Sequence, residues 1–125
     1  IDPARPSGLD YYPLPGKGER FPVNDPELPA RLEPRPPTRI EFLQGLLEGL
    51  AAIEARGYHK LAELGATPLR AVATAGGGAR NDAWMRIRAQ RLGVPVSRAA
   101  EQEACYGTAR LACFGSELFP GEGDD

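Results

Sequence analysis

Residues Ala73 to Trp84 read Ala-Thr-Ala-Gly-Gly-Gly-Ala-Arg-Asn-Asp-Ala-Trp: three consecutive glycines, then at short range an amide and a large aromatic ring. Without Cβ atoms, Gly76, Gly77 and Gly78 reach backbone conformations closed to other residues and leave room for a flat or anionic group against the main chain. A helix opening just after them would aim its unpaired amides and positive dipole end at that group. Asn81 carries donor and acceptor on one planar side chain, which suits the edge of a purine, and Trp84 offers a stacking face or a wall. The same residues also make an ordinary strand-to-helix turn, with Asn81 or Asp82 as the helix cap, Trp84 in the core and the glycines as a tight bend.

The spacing excludes two familiar nucleotide loops. A Walker loop needs a Gly-Lys-Ser/Thr ending, and no Lys follows these glycines; a dinucleotide fingerprint needs its third glycine where Asn81 stands. Elsewhere the candidates are thin. His59, the one histidine, forms no defensible metal-ligand pattern with a Cys or carboxylate and reads as a surface helix position. Cys105 and Cys113 fall in one helical pattern, too far apart to bridge, and read as two buried thiols of a reducing compartment. Glu101 and Glu103 precede the last helical segment, where acidic residues favour the N-terminal end; capping is the reading taken over acid–base work. Net charge is −2, and no apolar run approaches the roughly 20 residues of a membrane helix. Neither membrane nor nucleic-acid binding is suggested, no signal-peptide pattern is present, and a soluble cytoplasmic piece is expected.

Three kinds of segment must position the glycine bend. The first 37 residues hold ten of the 13 prolines, which excludes regular helix there. Interspersed Leu9, Tyr11, Tyr12, Leu14, Phe21, Val23 and Leu28 predict an ordered, mostly irregular arm that wraps its neighbour, with short strands around Tyr11–Leu14 and Arg20–Val23. Glu19 or Arg20 is expected to tie down its loop by hydrogen bonds. Thr38-Arg39-Ile40-Glu41 is a capping-box pattern opening the strongest helix in the chain. At a helical period Ile40, Leu43, Leu46, Leu47, Leu50 and Ile53 share a broad arc that predicts deep packing, with Glu41, Gln44 and Glu48 outside it. Gly45 and Gly49 sit together on another side, where a second element can approach closely. Gly57 ends or weakens the helix, and Gly65 with Pro68 ends it firmly.

Beyond it, Leu69–Ala75 reads as a buried strand, Asn81–Leu92 as a helix and Val94–Arg98 as a second strand: a parallel, right-handed βαβ unit. Arg80, Arg86, Arg88 and Arg91 make that helix basic, and the charge reads mostly as a solvated face. Ala104–Gly115 is a last helix, and Pro120–Asp125 a disordered tail. Two strands are not a self-sufficient sheet, so the arm or a second copy of the chain must complete it or an edge stays open, and self-association through that edge is one of the expected outcomes.

Four blocks in this order, Gly76-Gly77-Gly78-Ala79-Arg80-Asn81 with Trp84, Arg91-Leu92-Gly93-Val94-Pro95-Val96, Glu103-Ala104 and Gly107-Thr108-Ala109-Arg110-Leu111-Ala112, resemble the C-terminal, ATP-binding domain of the FGGY carbohydrate kinases. Upstream, Gly18-Glu19-Arg20-Phe21-Pro22 and Phe42 to Ala51 resemble the family's "GER-x-P" loop and "EG" helix, so the likeness runs over about residues 9 to 115. Tyr11 to Pro15 and the Gly-Tyr and Leu-Gly-Ala near residues 57 to 66 most resemble the ribulokinase- and xylulokinase-like pentulose kinases.

The resemblance implies an α/β fold, part of an actin-like or ribonuclease H-like two-domain ATPase: a βαβ core and a long packed helix, with residues 1–37 as the arm, 38–118 as the distal part of the ATP-binding domain and 119–125 as the tail. It implies ATP, with Mg2+ in the full-length enzyme, held between the domains, and a ketopentose such as ribulose or xylulose bound mainly by a domain outside this chain. It assigns Gly77 and Gly78 to backbone contact with adenosine and its phosphates, Asn81 to the adenine amino edge, and Trp84 to a wall of the base. The family's catalytic Asp and its Asp-x-Gly-Thr phosphate loop have no counterpart here; Gly107-Thr108 lacks the Asp, and Gly107 reads as a close-packing contact. The expectation is therefore a fragment of a phosphotransferase acting on an alcohol group, inactive by itself because phosphoryl transfer needs nucleophile, metal and phosphates held together. A non-catalytic adenine-nucleotide module and a structural interaction module working through the Pro-rich arm are the alternatives.

Overall fold

Thr38 starts the long helix as its sequence pattern requires. The computed structural model describes residues 1–100 and 104–118. In it, α1 (Arg39–Glu63) opens with the Glu41 amide donating to Thr38 Oγ1 at 3.2 Å, while the Thr38 hydroxyl donates to the Glu41 carboxylate at 3.0 Å. The helix passes through Gly57 and ends at a Schellman turn: Gly65 at φ +104° donates to the Ala62 carbonyl and Ala66 to that of Leu61. β1 (Val72–Thr74), a 3-10 turn (Gly77–Arg80), α2 (Asp82–Leu92), β2 (Val96–Arg98) and α3 (Ala104–Leu118) follow. β1 and β2 pair in parallel, Val72 opposite Val96 and Thr74 opposite Arg98, so the parallel βαβ order holds with shorter strands than expected, and β1 is part-exposed rather than buried, Ala73 being exposed. Among the described residues the sheet has these two strands.

The face that α1 turns inward differs from the one its apolar period predicts. Ile40, Leu43 and Leu50 are 61%, 47% and 43% exposed, whereas Gln44, Gly45, Glu48, Gly49 and Ala51 are buried. The arm is the reason. Gln44 Nε2 donates to the carbonyls of Asp2 at 3.1 Å and Arg5 at 2.7 Å and to Glu48 Oε1 at 3.0 Å, and the Glu48 carboxylate accepts from both the amide and the hydroxyl of Ser7. These two side chains give the irregular backbone the partners that a helix or sheet would otherwise supply. Between them, Gly45 and Gly49 let the arm come down onto the helix, as their spacing suggests. A Cβ at Gly45 would lie 2.7 Å from Leu9 Cδ1, and one at Gly49 2.7 Å from the Tyr11 carbonyl oxygen. Gly57 is a third notch, with Phe21 3.0 Å from the position of an added Cβ.

Residues 1–38 contain no helix, and the two expected short strands are instead two isolated antiparallel bridges, Tyr12 with Arg31 and Glu19 with Asp25. Arg20–Val23 is the bend between the members of the second bridge, so it has no ladder partner of its own. Tyr11 and Tyr12 are the arm's buried anchors. Tyr11 donates its hydroxyl to the Pro34 carbonyl and meets Phe42 edge-on at 5.7 Å; Tyr12 donates to the Glu19 carboxylate, which ties down the loop.

α3 corrects two further expectations. Cys105 and Cys113 are free and exposed, not buried, and an added Cβ on Gly107 would meet nothing within 4 Å, so Gly107 is no packing contact here. Both follow from one fact: among the described residues α3 forms no packed interface with the other elements, and Tyr106, Leu111 and Phe114 on it are also about half exposed. Glu101, Glu103 and the tail from 119 onward lie outside the described residues. His59 is exposed and pairs with Glu63 at 3.2 Å, one helical turn along.

Candidate functional site

β1 delivers the chain to the glycines, and α2 takes it away. Gly76 has φ +89°, a value that L side chains rarely adopt, and turns the chain out of the strand; Gly77–Arg80 then coil tightly, with the Ala79 amide bonded to the Gly76 carbonyl and that of Asn81 to Gly78. A Cβ at Gly76 or Gly77 would meet no atom within 4 Å, so the outer side of the bend is open. At Gly78 the indole of Trp84 closes in, its Nε1 3.4 Å from where a Cβ would stand. Ala79 is fully buried and pins the turn from below.

Asn81 is the N-cap of α2: its Oδ1 accepts the Trp84 amide at 3.0 Å. The cap reading of this residue therefore holds, and the helix starts one residue later than expected. The cap uses one lone pair of the side-chain carbonyl, which leaves a second lone pair and the NH2 group of this exposed residue outside the cap bond. Trp84 is half-buried, with its Nε1–Cδ1 edge against Gly78 and the Arg88 guanidinium over its ring, 5.6 Å from the centroid. Asp82, in the first turn of α2, pairs with Arg98 at the end of β2 and so joins the helix start to the second strand. Gly93 at φ +69° ends α2.

Sequence reasoning placed Arg88 on a solvated face with Arg80, Arg86 and Arg91. Those three are exposed, but Arg88 is only 7% exposed. Its Nε and Nη2 donate to the two oxygens of Glu54 on α1 at 2.8 and 2.7 Å, and Nη1 donates to Thr74 Oγ1 at 2.6 Å. The bidentate bond to Glu54 pushes the guanidinium pKa further up, burial acting against it. The available signal was the four-residue step from Trp84 to Arg88, which stacks the two on one side of the helix. Its partner Glu54 carried no comparable signal, because the pairing spans 34 positions.

Among the described residues no group of three or more His, Cys, Asp or Glu is placed to hold a metal ion, and no helix is long and apolar enough to cross a membrane. The glycine bend is thus open on its outer side at Gly76 and Gly77, with Asn81 and Trp84 beside it.

The model of the FGGY family of carbohydrate kinases, C-terminal domain, matches residues 2–116. The chain belongs to that family. Within it, this domain is similar to a xylulose kinase of Bacillus subtilis, with 32% identity over 94% of the chain, and to a xylulose kinase of Staphylococcus xylosus, with 28% identity over 90%. An L-fuculokinase of Escherichia coli is 34% identical over 59% of the chain. The FGGY chain spans about a quarter of the length of the two xylulose kinases, 24% of each. The resemblance drawn from the glycine bend and its flanking blocks is thus shown, and the mixed helix-and-strand architecture is consistent with it.

Proposed function

We propose that this chain forms the adenosine side of the ATP site in a kinase that phosphorylates a hydroxyl of a ketopentose, xylulose or ribulose. The open outer side of the bend at Gly76 and Gly77, in a chain matched along nearly its whole length by the C-terminal domain of a carbohydrate kinase family, carries the reading. Gly77 and Gly78 let adenosine and its phosphates approach the backbone. Asn81 addresses the adenine amino edge with the part of its amide that the cap leaves over, and Trp84 walls the base. On this reading the whole protein is actin-like, with ATP between this domain and another that brings the sugar and the catalytic Asp. The two strand edges and the apolar face of α1 are then covered by the rest of the protein.

Mg2+ neutralises phosphate charge in such transfers. Among the described residues no group of three or more His, Cys, Asp or Glu gathers to hold the ion, and no step is derived through it. What this chain contributes is positioning. Holding the base and ribose at the bend orients the γ-phosphoryl group towards an acceptor hydroxyl held elsewhere.

Asn81→Ser separates the two roles of this residue. Serine also caps helices, so stability is retained, but the amide edge is lost. ATP affinity of the full-length protein should fall several-fold, about what one hydrogen bond is worth. Unchanged affinity for ATP would remove Asn81 from the adenine site.

A further inference from the structure

The glycine bend has two shores, and one buried side chain grips both. Thr74, the last residue of β1, stands two residues before Gly76; Trp84 reaches back from α2 over Gly78. Arg88 donates to Thr74 Oγ1 at 2.6 Å, lies over the Trp84 ring at 5.6 Å, and is held by two hydrogen bonds to Glu54 of α1. Its side chain is 9% exposed and that of Glu54 is 25% exposed.

We infer that Arg88 is a positioning residue for nucleotide binding, fixing the separation between the β1 end and the Trp84 indole and referring both to α1. The inference rests on the adenosine reading above and adds to it a residue that need not touch the nucleotide. Its physical basis is the shape of the guanidinium. The planar fork supplies a bidentate bond on one edge, a further N–H for the threonine and a flat face for the indole, so three directions are set by a single rigid group. A lysine offers charge alone. Without the fork, the Trp84 ring loses its backing and Thr74 its tether, and the bend between them can widen or close over Gly78.

The test uses the full-length protein. Arg88→Lys keeps a positive charge facing Glu54 while losing the fork and the stacking face. The expected result is ATP affinity lower by about three- to ten-fold, because only part of the loss of the charge-assisted hydrogen bonds is felt at the bend, with sugar affinity within about two-fold of the parent. The emission assigned to Trp84, obtained by difference from the Trp84→Phe counterpart of each protein, should shift to the red as the indole loses its cover. Thr74→Val removes only the acceptor hydroxyl and should lower ATP affinity by about two-fold, which keeps the idea testable if Arg88→Lys folds poorly. ATP affinity preserved in both variants, or ATP and sugar affinities falling together as general loosening would make them, overturns the positioning role. Asn81→Ser tells the two claims apart. If that change weakens ATP binding while Arg88→Lys and Thr74→Val do not, the pocket stands and the role of Arg88 falls; if it leaves ATP binding unaltered, the adenine assignment itself is the one at fault.

Discussion

Gly49 lies directly beneath the main chain of Tyr11: a Cβ at Gly49 would stand 2.7 Å from the Tyr11 carbonyl oxygen and 2.9 Å from Pro13 Cδ. The closeness of a loop backbone to a helix backbone is what lets the irregular segment around Tyr11 pack on α1. Gly49→Ala sets two effects against each other. Helix propensity favours alanine by about 1 kcal/mol, whereas overpacking against a backbone atom costs about 1–3 kcal/mol. The clash is with backbone rather than a mobile side-chain tip, so the net effect should be destabilising, read as a lower urea midpoint. Gly107→Ala in α3, where nothing lies within 4 Å, supplies the opposite sign: stabilisation by about 0.5–1 kcal/mol. Equal effects at the two positions would contradict the packing described for α1.

Arg88 and Glu54 should respond unequally to single and paired change. Arg88→Ala leaves the Glu54 carboxylate facing an emptied, poorly solvated site and should cost about 3 kcal/mol or more. Replacing both, as Glu54→Gln with Arg88→Met, removes the stranded charge and should recover much of that loss. Equilibrium unfolding of the three proteins decides it; a double variant no better than the single would mean that packing, not charge, dominates the site.

The Tyr12 phenol gives a pH signature. Burial, then its hydrogen bond to Glu19 and the charge of that carboxylate, push its pKa from 10.0 up to about 12, with Arg56 pulling the other way. The folded chain therefore keeps a proton that the unfolded chain releases. The resulting stability is complete below pH 10.0 and is lost as pH rises through about 12. Phenolate absorbance should show a late-titrating tyrosine that disappears in Tyr12→Phe. A spectrum in which no tyrosine titrates late would contradict the buried bond to Glu19.

The isolated 125-residue chain should associate and should not phosphorylate sugar. Ile40, Leu43 and Leu50 present an apolar stripe on α1, and among the described residues the sheet has two strands with no further strand on either edge. Sedimentation velocity should show mass rising with concentration, and Leu43→Lys with Leu50→Lys should reduce it without lowering the unfolding midpoint. Monomeric behaviour at every concentration would argue that these faces are inert. Turnover of xylulose or ribulose by the purified chain, free of other kinases, would overturn the proposal that it supplies only one side of the site.

Much of the local structure was legible in the chain itself. Thr38 with Glu41, Gly65, Asn81 and Gly93 mark helix ends through bonds that reach only a few residues, and the order of strand, glycines, helix and strand followed from composition over short windows. The candidate site was legible to the same extent: Gly76–Gly78, Asn81 and Trp84 are neighbours in sequence and remain neighbours in space. Arg88 was not, because its charge reads as solvated until Glu54 and Thr74, 34 and 14 positions away, arrive beside it.

The sequence by itself determined the caps at Thr38, Gly65 and Asn81, that the bend is built of glycine, and the family to which the chain is related. Tertiary structure decided which side of α1 faces inward. An apolar arc states what a helix can bury, but Gln44 and Glu48 are buried because the arm's backbone amides and carbonyls needed partners and found them there, with Gly45 and Gly49 making the approach possible. That choice depends on contacts between residues some 40 positions apart, such as Ser7 and Glu48 with their separation of 41, and no local periodicity encodes it.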